Sequence, residues 1–510
     1  MKARFAVVVL ASVAVVAGAA FLLRRPSPHD DGPETIVLFY AAGVRAPVRE
    51  TIEDYQREFP NVRVEVMPSG SGQLLTQVLA GQKGDLFLAA DSSYVDRAYE
   101  KGAVAERLDV AVQWPVLSIR KDSSLDITDV RSLLGKSPTG EGLKIGLGNP
   151  EGPAIGKASK AILERAGIWK QVKSAVESRG VFKPTVQELA NDIKLGTIDV
   201  AILVDGTAAQ YPELKVIPIA KEINEPLHIS IGVMTTTENP SRALHFARYL
   251  TARDRGLKNF ARYDYDVIDG DAWADVPALK LMSGNILMPV ISETLAEFEK
   301  REGVEIVRNF NGCGALTTSL KAGGETDAYF ACDISFMSQV SDLFLDPVNV
   351  SQTRMVIAVP KGNPKGIQKL ADLAQAGVKV GVANAKQSAL GALTEQLLAR
   401  HNLLDTVKKN IVTQVPTADM LVVQLQGPSG GESLLDAVVV YEVNALRGGD
   451  NVEIVPIAEA DSPAVQPYAV ARQSKHAHLA ERLLDAIRQT TSRKRFEHDG
   501  FVWLEGGKGK

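Results

Sequence analysis

The feature that most constrains the fold of this 510-residue chain is an internal duplication. The segment Ser69–Leu74 reads Ser-Gly-Ser-Gly-Gln-Leu and is matched 242 residues later by Asn311–Leu316, Asn-Gly-Cys-Gly-Ala-Leu. At the same offset Asp327–Asp333 matches Asp85–Asp91. A third pair, at an offset of 237, is Asp199–Val204 and Asp436–Tyr441. Solenoid repeats have periods of roughly 20 to 50 residues, so this much longer period predicts two homologous domains.

The first copy of the repeated segment has the chemistry of an anion site. Alternating valines at 62–66 predict a strand, and leucines and valine at 74–79 share one face of the helix that follows. The Ser-Gly-Ser-Gly run opens that helix. Main-chain N–H groups at a helix start lack internal partners and carry partial positive charge, so they favour an anion, and glycines let it approach closely.

Strands alternate with helices through both halves, which predicts α/β domains with mainly parallel sheets. A single helix is expected over 242–260. Ligands of such sheets lie beyond the carboxyl ends of the strands. The Gly- and Ser-rich turns of this chain occupy those positions.

The N-terminus differs from the rest. Lys2 and Arg4 precede nineteen uncharged residues, 5–23, which Arg24-Arg25 follow. The pattern is typical both of a cleaved signal peptide and of an uncleaved membrane anchor, and either predicts an exported, periplasmic or extracytoplasmic protein. We therefore expect a signal or anchor over 1–24, a linker over 25–33, a first domain over 34–268, a linker over 269–277 and a second domain over 278–507.

Composition and motifs argue against several functions. A net charge of -4 argues against nucleic acid as a partner. Gly427–Gly431 matches a nucleophile-elbow string but follows a predicted helix instead of a strand, so no catalytic serine is assigned at Ser429. Gly152–Lys157 is one residue too short for a phosphate loop of nucleotide hydrolases. His476 and His478 are interpreted as a solvated helix face. No enzyme activity, cofactor or metal site is predicted.

Together these blocks resemble a known family. They are similar to periplasmic molybdate-binding proteins. The resemblance rests on the strand-Ala-Ala-Gly block at 37–43, the Ser-Gly-Ser-Gly-Gln-Leu and Gly-Asp-Leu-Phe-Leu-Ala-Ala-Asp segments, Gly-Pro-Ala-Ile-Gly at 152–156 and the strand at 199–204. A more distant copy covers about 278–505. The resemblance implies two tandem type II periplasmic-binding-protein-like domains, each of two α/β lobes with a ligand cleft between them. It also implies a tetrahedral oxyanion ligand of the molybdate or tungstate class and an ABC transporter permease in the membrane as partners.

The resemblance also implies ligand-binding residues. In the first half Ser71 would supply a hydroxyl and an N–H, Ala154 and Val186 would supply N–H groups, and Ser69 is a neighbour. Gly43 stands where the family has a serine, so one hydroxyl is missing. The corresponding positions of the second half are Asn285, Cys313, Ala389 and Tyr441.

Two departures from the family bear on the ligand. The family's tyrosine after the buried strand falls on Val204, with Asp205 next, and a carboxylate facing a dianion would oppose it strongly. Either Asp205 faces away, or the ligand is not molybdate. The only two cysteines, Cys313 and Cys332, fall at turns around the second cleft. A disulfide, two inert thiols and a soft-metal site all fit that placement.

We therefore expect an extracytoplasmic receptor that captures an oxyanion for an ABC importer. One alternative is a receptor of the same fold for another anion, a metal or a small solute. A second alternative is a membrane-anchored sensor or scaffold whose second domain no longer binds. The sequence leaves open which anion is bound, whether both domains bind, and the oligomeric state.

Overall fold

The computed structural model describes residues 34–427, 433–458 and 463–505. Contacts divide the chain into two compact units between Asp269 and Gly270. The predicted signal or anchor at 1–24, the linker at 25–33, Ser429 and residues 506–507 lie outside the described residues. Among the residues described, no helix is both long enough and apolar enough to cross a membrane.

Each unit contains, within the described residues, one six-stranded and one five-stranded sheet. In the first unit the six-stranded sheet has the spatial order Asp266–Val267, Val104–Gln113, Leu227–Met234, Leu86–Ala89, Glu34–Ala41 and Val62–Ser69. The five-stranded sheet has the order Val181–Lys183, Ile145–Gly148, Val200–Val204, Pro115–Arg120 and Leu214–Pro218. The chain passes from the first sheet to the second at Trp114 and returns between Pro218 and Leu227. These two crossings define two lobes with a cleft between them.

Helices cover the sheets of the first unit. They span Arg45–Glu58, Ser71–Leu79, Ser92–Glu100, Ala154–Arg165, Trp169–Arg179, Val186–Leu195, Asp205–Ala208, Pro240–Leu250 and Gly256–Ala261, with 3-10 turns at Ala42–Val44 and Val130–Leu134. Several begin at a polar residue whose side chain accepts a first-turn N–H that has no acceptor within the helix. Asp91 accepts the N–H of Ser93 at 2.8 Å, and Asn239 accepts that of Arg242 at 3.1 Å.

The second unit repeats this plan. Its six-stranded sheet has the order Glu305–Asn311, Ala278–Gly284, Ala328–Phe330, Ala464–Val470, Val348–Thr353 and Val502–Trp503. Its five-stranded sheet has the order Ile411–Val415, Val380–Ala383, Ala437–Tyr441, Met355–Pro360 and Val452–Pro456. Its helices are Met288–Glu302, Cys313–Lys321, Ile334–Ser338, Ala389–Arg400, Leu404–Lys408, Ala418–Gln426, Glu442–Arg447, Ala477–Ile487 and Thr490–His498, with 3-10 turns at Asn285–Leu287, Ser341–Leu343, Leu370–Ala374 and Gly449–Asn451.

The repeated aspartates of the duplication have a structural role. Asp85 and Asp327 precede equivalent strands, and their Oδ2 atoms accept the N–H groups of Val37 and Lys280, each at 2.7 Å. The five-stranded sheets contain the same arrangement. There Asp199 accepts from Lys144 at 2.7 Å, and Asp436 accepts from Lys379 at 2.8 Å. Each carboxylate thus satisfies a main-chain N–H in, or directly before, the strand next to its own, which explains why these residues recur at a fixed distance from the strands.

Two expectations about secondary structure were wrong. The sheets are mixed: Glu34–Ala41 is parallel to both of its neighbours, whereas Leu227–Met234 is antiparallel to both of its own. The antiparallel pairs arise because the chain crosses to the other lobe and returns. The helix expected over 242–260 is two helices, because the chain turns at 251–255 and Gly256 packs against the main chain of Leu250.

Candidate functional site

A cavity lies between the two lobes of the first unit, and both lobes line it. No side chain in its lining carries a charge. Polar groups come from Ser69, Ser71, Thr185, Gln113 and Gln187. The remaining lining residues are Ala41, Ala42, Gly43, Gly70, Ala90, Pro153, Ala154, Ile155, Val186, Val204 and Leu227.

Three helices begin at this cavity. The helix that starts at Ser71 belongs to the lobe with the six-stranded sheet, and those that start at Ala154 and Val186 belong to the other lobe. Each follows an extended residue, so its first-turn N–H groups have no acceptor within the helix. At the helix that starts at Val186, the N–H of Glu188 donates to Oγ1 of Thr185 at 3.3 Å. The cavity therefore collects main-chain donors and three positive helix ends from both sides of the cleft.

Ser71 offers the cavity a hydroxyl proton. The side chain is buried, with 2% of its surface exposed, and its Oγ accepts the N–H of Ala90 at 3.2 Å. The other two lining hydroxyls donate elsewhere: Ser69 to Oε1 of Gln73 at 2.5 Å and Thr185 to Oε1 of Glu188 at 2.9 Å. Among the residues described, Ser71 is thus the lining hydroxyl with no protein acceptor for its proton.

Two glutamines border the cavity with their nitrogens already bonded. Nε2 of Gln113 donates to the carbonyl of Ala90 at 2.9 Å, and Nε2 of Gln187 donates to the carbonyl of Ala42. Both amide oxygens are buried and have no partner among the described residues. Neither glutamine lies in a sequence motif, so neither was predicted.

Hydrogen bonds between the lobes hold this cleft closed. The hydroxyl of Tyr94 donates to the carbonyl of Gly152 at 2.9 Å, and that of Thr207 donates to the carbonyl of Gly43 at 3.2 Å. Gly72 lies so close to Gly152 that a Cβ atom on Gly72 would overlap the carbonyl oxygen of Gly152. Closure of the first cleft therefore depends on the absence of a side chain at residue 72.

Asp205 faces away from the cavity. Its Oδ1 accepts the N–H of Trp114 at 3.0 Å and that of Gly206 at 2.7 Å, whereas the preceding Val204 lines the cavity. Burial raises the pKa of Asp205, with the two main-chain bonds acting in the opposite direction. Of the two readings that the sequence left open, the structure supports the one in which this carboxylate does not oppose an anion.

The second unit has a cavity in the equivalent cleft. Its lining residues are Asn285, Ile286, Gly312, Cys313, Cys332, Ser388, Ala389, Leu390, Pro416, Thr417, Ala418, Asp419, Tyr441 and Asn444. Helices again begin beside it, at Cys313, Ala389 and Ala418. The second cavity therefore has the same arrangement of helix starts as the first, with different side chains in its lining.

Cys313 and Cys332 form a disulfide in this second cavity. They occupy the positions of Ser71 and Ala90, so the bond replaces the hydroxyl of the first cleft. Gly284 fits beneath it, because a Cβ there would overlap Sγ of Cys332. Of the three states that the sequence left open for these cysteines, the structure contains the disulfide.

A carboxylate lies in the lining of the second cavity. Oδ2 of Asp419 accepts from Nδ2 of Asn285 at 3.1 Å, and Oδ1 accepts from Nδ2 of Asn444 at 2.7 Å. Nη1 of Arg447 lies 3.6 Å from Oδ1. Asp419 was not predicted, although it stands two residues after Thr417 just as Gln187 stands two residues after Thr185.

Tyr441 ends the buried strand Ala437–Tyr441 and lines the same cavity. Its side chain is 3% exposed, and its hydroxyl has no hydrogen-bond partner in the part of the chain that the structure describes. Burial raises its pKa well above the usual value, so the hydroxyl stays protonated.

The structure gathers the residues predicted from the sequence at two places. The first cavity contains Gly43, Ser69, Ser71, Ala154 and Val186. The second contains Asn285, Cys313, Ala389 and Tyr441. His476 and His478 lie at the start of the helix Ala477–Ile487, away from both cavities. Within the described residues, no cluster of three or more His, Cys, Asp or Glu side chains could hold a metal ion.

Both halves match the profile of one protein family, described as bacterial extracellular solute-binding protein, over residues 36–263 and 279–502. A Haemophilus influenzae protein described only as a binding protein is 27% identical over 226 residues, which is 44% of this chain and 88% of that protein. The molybdate-binding protein ModA of Escherichia coli is 30% identical over 163 residues, 30% of this chain and 60% of ModA. Among solved structures, the periplasmic molybdate-binding protein of Azotobacter vinelandii covers 45% of this chain and 98% of its own, with a TM-score of 0.39 and 15% identity.

Proposed function

The chain belongs to the family of bacterial extracellular solute-binding proteins, with one copy of the family's domain in each half, and from that premise we propose that its first half captures a tetrahedral oxyanion of the molybdate or tungstate class. The ligand would bridge the two lobes and favour the closed form. A membrane permease of an ABC importer would then recognise the closed form. Membership in this family supports a location outside the cytoplasm.

The observation that carries the proposal is the composition of the first cavity. It combines three helix N-termini and the hydroxyl of Ser71 with a lining free of charged side chains. Oriented neutral dipoles can hold a dianion without an ion pair, because each N–H or O–H donates to a charged acceptor. A lysine or arginine would be expected in the lining if the site relied on opposite charge.

Selectivity among oxyanions would come from size and from unpaired donors. A smaller anion leaves some of the fixed donors without a partner, and each costs about 1–3 kcal/mol when buried. The unpartnered amide oxygens of Gln113 and Gln187 act against a dianion only as neutral dipoles. A water molecule bound beside the anion can donate a hydrogen bond to each of them.

The test is a thermal-shift and calorimetric panel on the full chain. Molybdate, tungstate, sulfate and phosphate are compared with divalent cations at equal ionic strength. We expect the two large oxyanions to stabilise the chain most, with the effect growing as the logarithm of ligand concentration. Stabilisation by a divalent cation and by none of the four oxyanions would contradict the proposed ligand class.

A second candidate function is a receptor of the same fold for another solute. The observation that favours it is the missing first-loop hydroxyl at Gly43, whose carbonyl is already bonded to Thr207. In that case the panel would show weak stabilisation by every oxyanion, without a preference for molybdate and tungstate.

A further inference from the structure

The two cavities differ by one full charge at equivalent positions. Gln187 and Asp419 are each the second residue of a helix that begins one residue after a threonine, Thr185 or Thr417. Both residues line their cavity. The first cleft therefore presents an amide where the second presents a carboxylate.

The carboxylate of Asp419 accepts hydrogen bonds from two neighbouring amide groups. Asn285 and Asn444 both direct their amide nitrogens at Asp419, so their donors are used within the protein. The amide oxygen of Asn444 is buried and has no partner among the described residues. The side chains of the second cavity thus offer the carboxylate of Asp419 and an amide oxygen as acceptors, beside the hydroxyls of Ser388, Thr417 and Tyr441.

One hydroxyl donor of the first cavity has no counterpart in the second. The disulfide stands where Ser71 offers its hydroxyl proton. The N–H of Gly314, in the first turn of the helix that begins at Cys313, donates to the carbonyl of Gln387 at 3.1 Å. The hydroxyls of Ser388, Thr417 and Tyr441 remain in the lining, so the group that opposes a bound negative charge is the carboxylate of Asp419.

Arg447 does not cancel the carboxylate in full. Its Nη1 lies 3.6 Å from Asp419, but its Nε and Nη2 are bonded to Asp499, and Nη2 also donates to the carbonyl of Ile286. The guanidinium is therefore shared between two carboxylates. Unpartnered amide oxygens occur in both cavities, so the feature that separates them is the charge of Asp419.

We infer that the second cleft is a binding site for a small neutral or cationic solute that donates hydrogen bonds from N–H groups, and that it rejects oxyanions. Asp419 receives a donor of the solute, while the oxygen of Asn444 and the hydroxyl of Tyr441 accept others. This inference concerns the second cleft and does not depend on what the first cleft binds.

Calorimetric titration of the full chain tests this inference. The probes are methylammonium, glycinamide and urea as N–H donors, with molybdate and sulfate as anions. The Ser71→Ala variant removes the hydroxyl of the first cleft and weakens binding there. Binding to the second cleft can then be measured with less contribution from the first. The Asp419→Asn and Tyr441→Phe variants change the second cleft while keeping the shapes of both side chains.

We expect at least one donor probe to bind the Ser71→Ala chain, with affinity lowered tenfold or more by Asp419→Asn and severalfold by Tyr441→Phe. Molybdate and sulfate should bind no second molecule per chain. The inference is overturned if none of the three donor probes binds, or if their binding is unaffected by both second-cleft variants. It is also overturned if an oxyanion binds the Ser71→Ala chain and that binding is lost in Tyr441→Phe. Failure of molybdate to bind the wild-type chain at all would instead contradict the function proposed for the first half.

Discussion

The main-chain N–H of Ala90 donates a hydrogen bond of 3.2 Å to Oγ of Ser71. This bond uses an acceptor site of the hydroxyl and leaves its proton free, so Ser71 can act as a donor toward the cavity. In the second half the same two positions hold the Cys313–Cys332 disulfide. One pair of positions therefore provides a hydroxyl donor in one cleft and a covalent bridge in the other.

Replacing Ser71 by alanine should weaken oxyanion binding. A hydrogen bond to a charged group contributes about 1.5–3 kcal/mol, which corresponds to a loss of affinity of about 10- to 100-fold. Ser69→Ala is the matched control, because the Ser69 hydroxyl already donates to Gln73, and its affinity should change by less than about threefold. Calorimetric titration measures both. Equal losses in the two variants would show that Ser71 has no particular role.

Replacing Gly72 by alanine should hinder closure of the first cleft. The added methyl group overlaps the carbonyl oxygen of Gly152, and two main-chain segments can separate only if the lobes open. We expect oxyanion affinity to fall by about tenfold or more, because binding would have to select a less populated closed form. The denaturant midpoint should stay nearly unchanged.

Gly152→Ala is the control for this prediction. A Cβ on Gly152 would come no closer than 3.8 Å to its nearest neighbour, an ordinary contact with the carbonyl oxygen of Asn149. Affinity should therefore be retained. A Gly72→Ala chain that binds as tightly as the wild type would contradict the closed geometry described here.

Asp205→Asn should leave oxyanion affinity within about threefold of wild type, since the carboxylate points away from the cavity. Its effect should appear in the pH dependence of stability. Burial raises the pKa of Asp205, so the folded chain binds this proton more readily than the unfolded chain. The contribution of Asp205 to the free energy of unfolding therefore falls as pH rises from the unfolded to the folded pKa.

Denaturant unfolding at a series of acidic pH values measures this effect. In the Asp205→Asn variant, the slope of the free energy of unfolding against pH should lack the contribution of Asp205. A large loss of affinity in Asp205→Asn would instead indicate that the carboxylate acts on the ligand.

Removal of the disulfide should destabilise the second unit alone. Its cysteines are 19 residues apart, and closure of a loop of that size contributes about 3 kcal/mol to the free energy of unfolding. We expect Cys313→Ala with Cys332→Ala to lower the free energy of unfolding of the second unit by about that amount. The oxyanion affinity of the first cleft should stay the same. A change in that affinity would contradict the assignment of the site to the first half.

The duplication and the positions of the helix starts were accessible from the sequence because local patterns fix them. The Ser-Gly-Ser-Gly run and its copy predicted where two helices begin. The nine positions that the family resemblance implied all line one of the two cavities. The family and the tandem α/β architecture predicted from these blocks are confirmed.

The remaining features depend on residues distant in sequence. The strand Leu227–Met234 is antiparallel to its neighbours because the chain returns there from the other lobe. No local sequence pattern indicates that return. The orientation of Asp205 follows from N–H groups of Trp114 and Gly206, and only folding brings Trp114 there. Gln113 reaches the cavity from the end of a ten-residue strand that the periodicity did not indicate.

The most direct test of the central claim, that neutral dipoles in the first cleft hold an oxyanion, is titration of molybdate into the full chain and into its Gln187→Glu variant. The substitution keeps the side-chain length but adds a negative charge, as Asp419 does in the second cleft. Two unit charges about 4 Å apart interact by about 4 kcal/mol near a protein surface. We predict one molybdate per wild-type chain and an affinity at least about 100-fold weaker in Gln187→Glu, with Gln187→Asn as the neutral control. No binding to the wild-type chain, or equal affinity in the glutamate variant, would contradict the account.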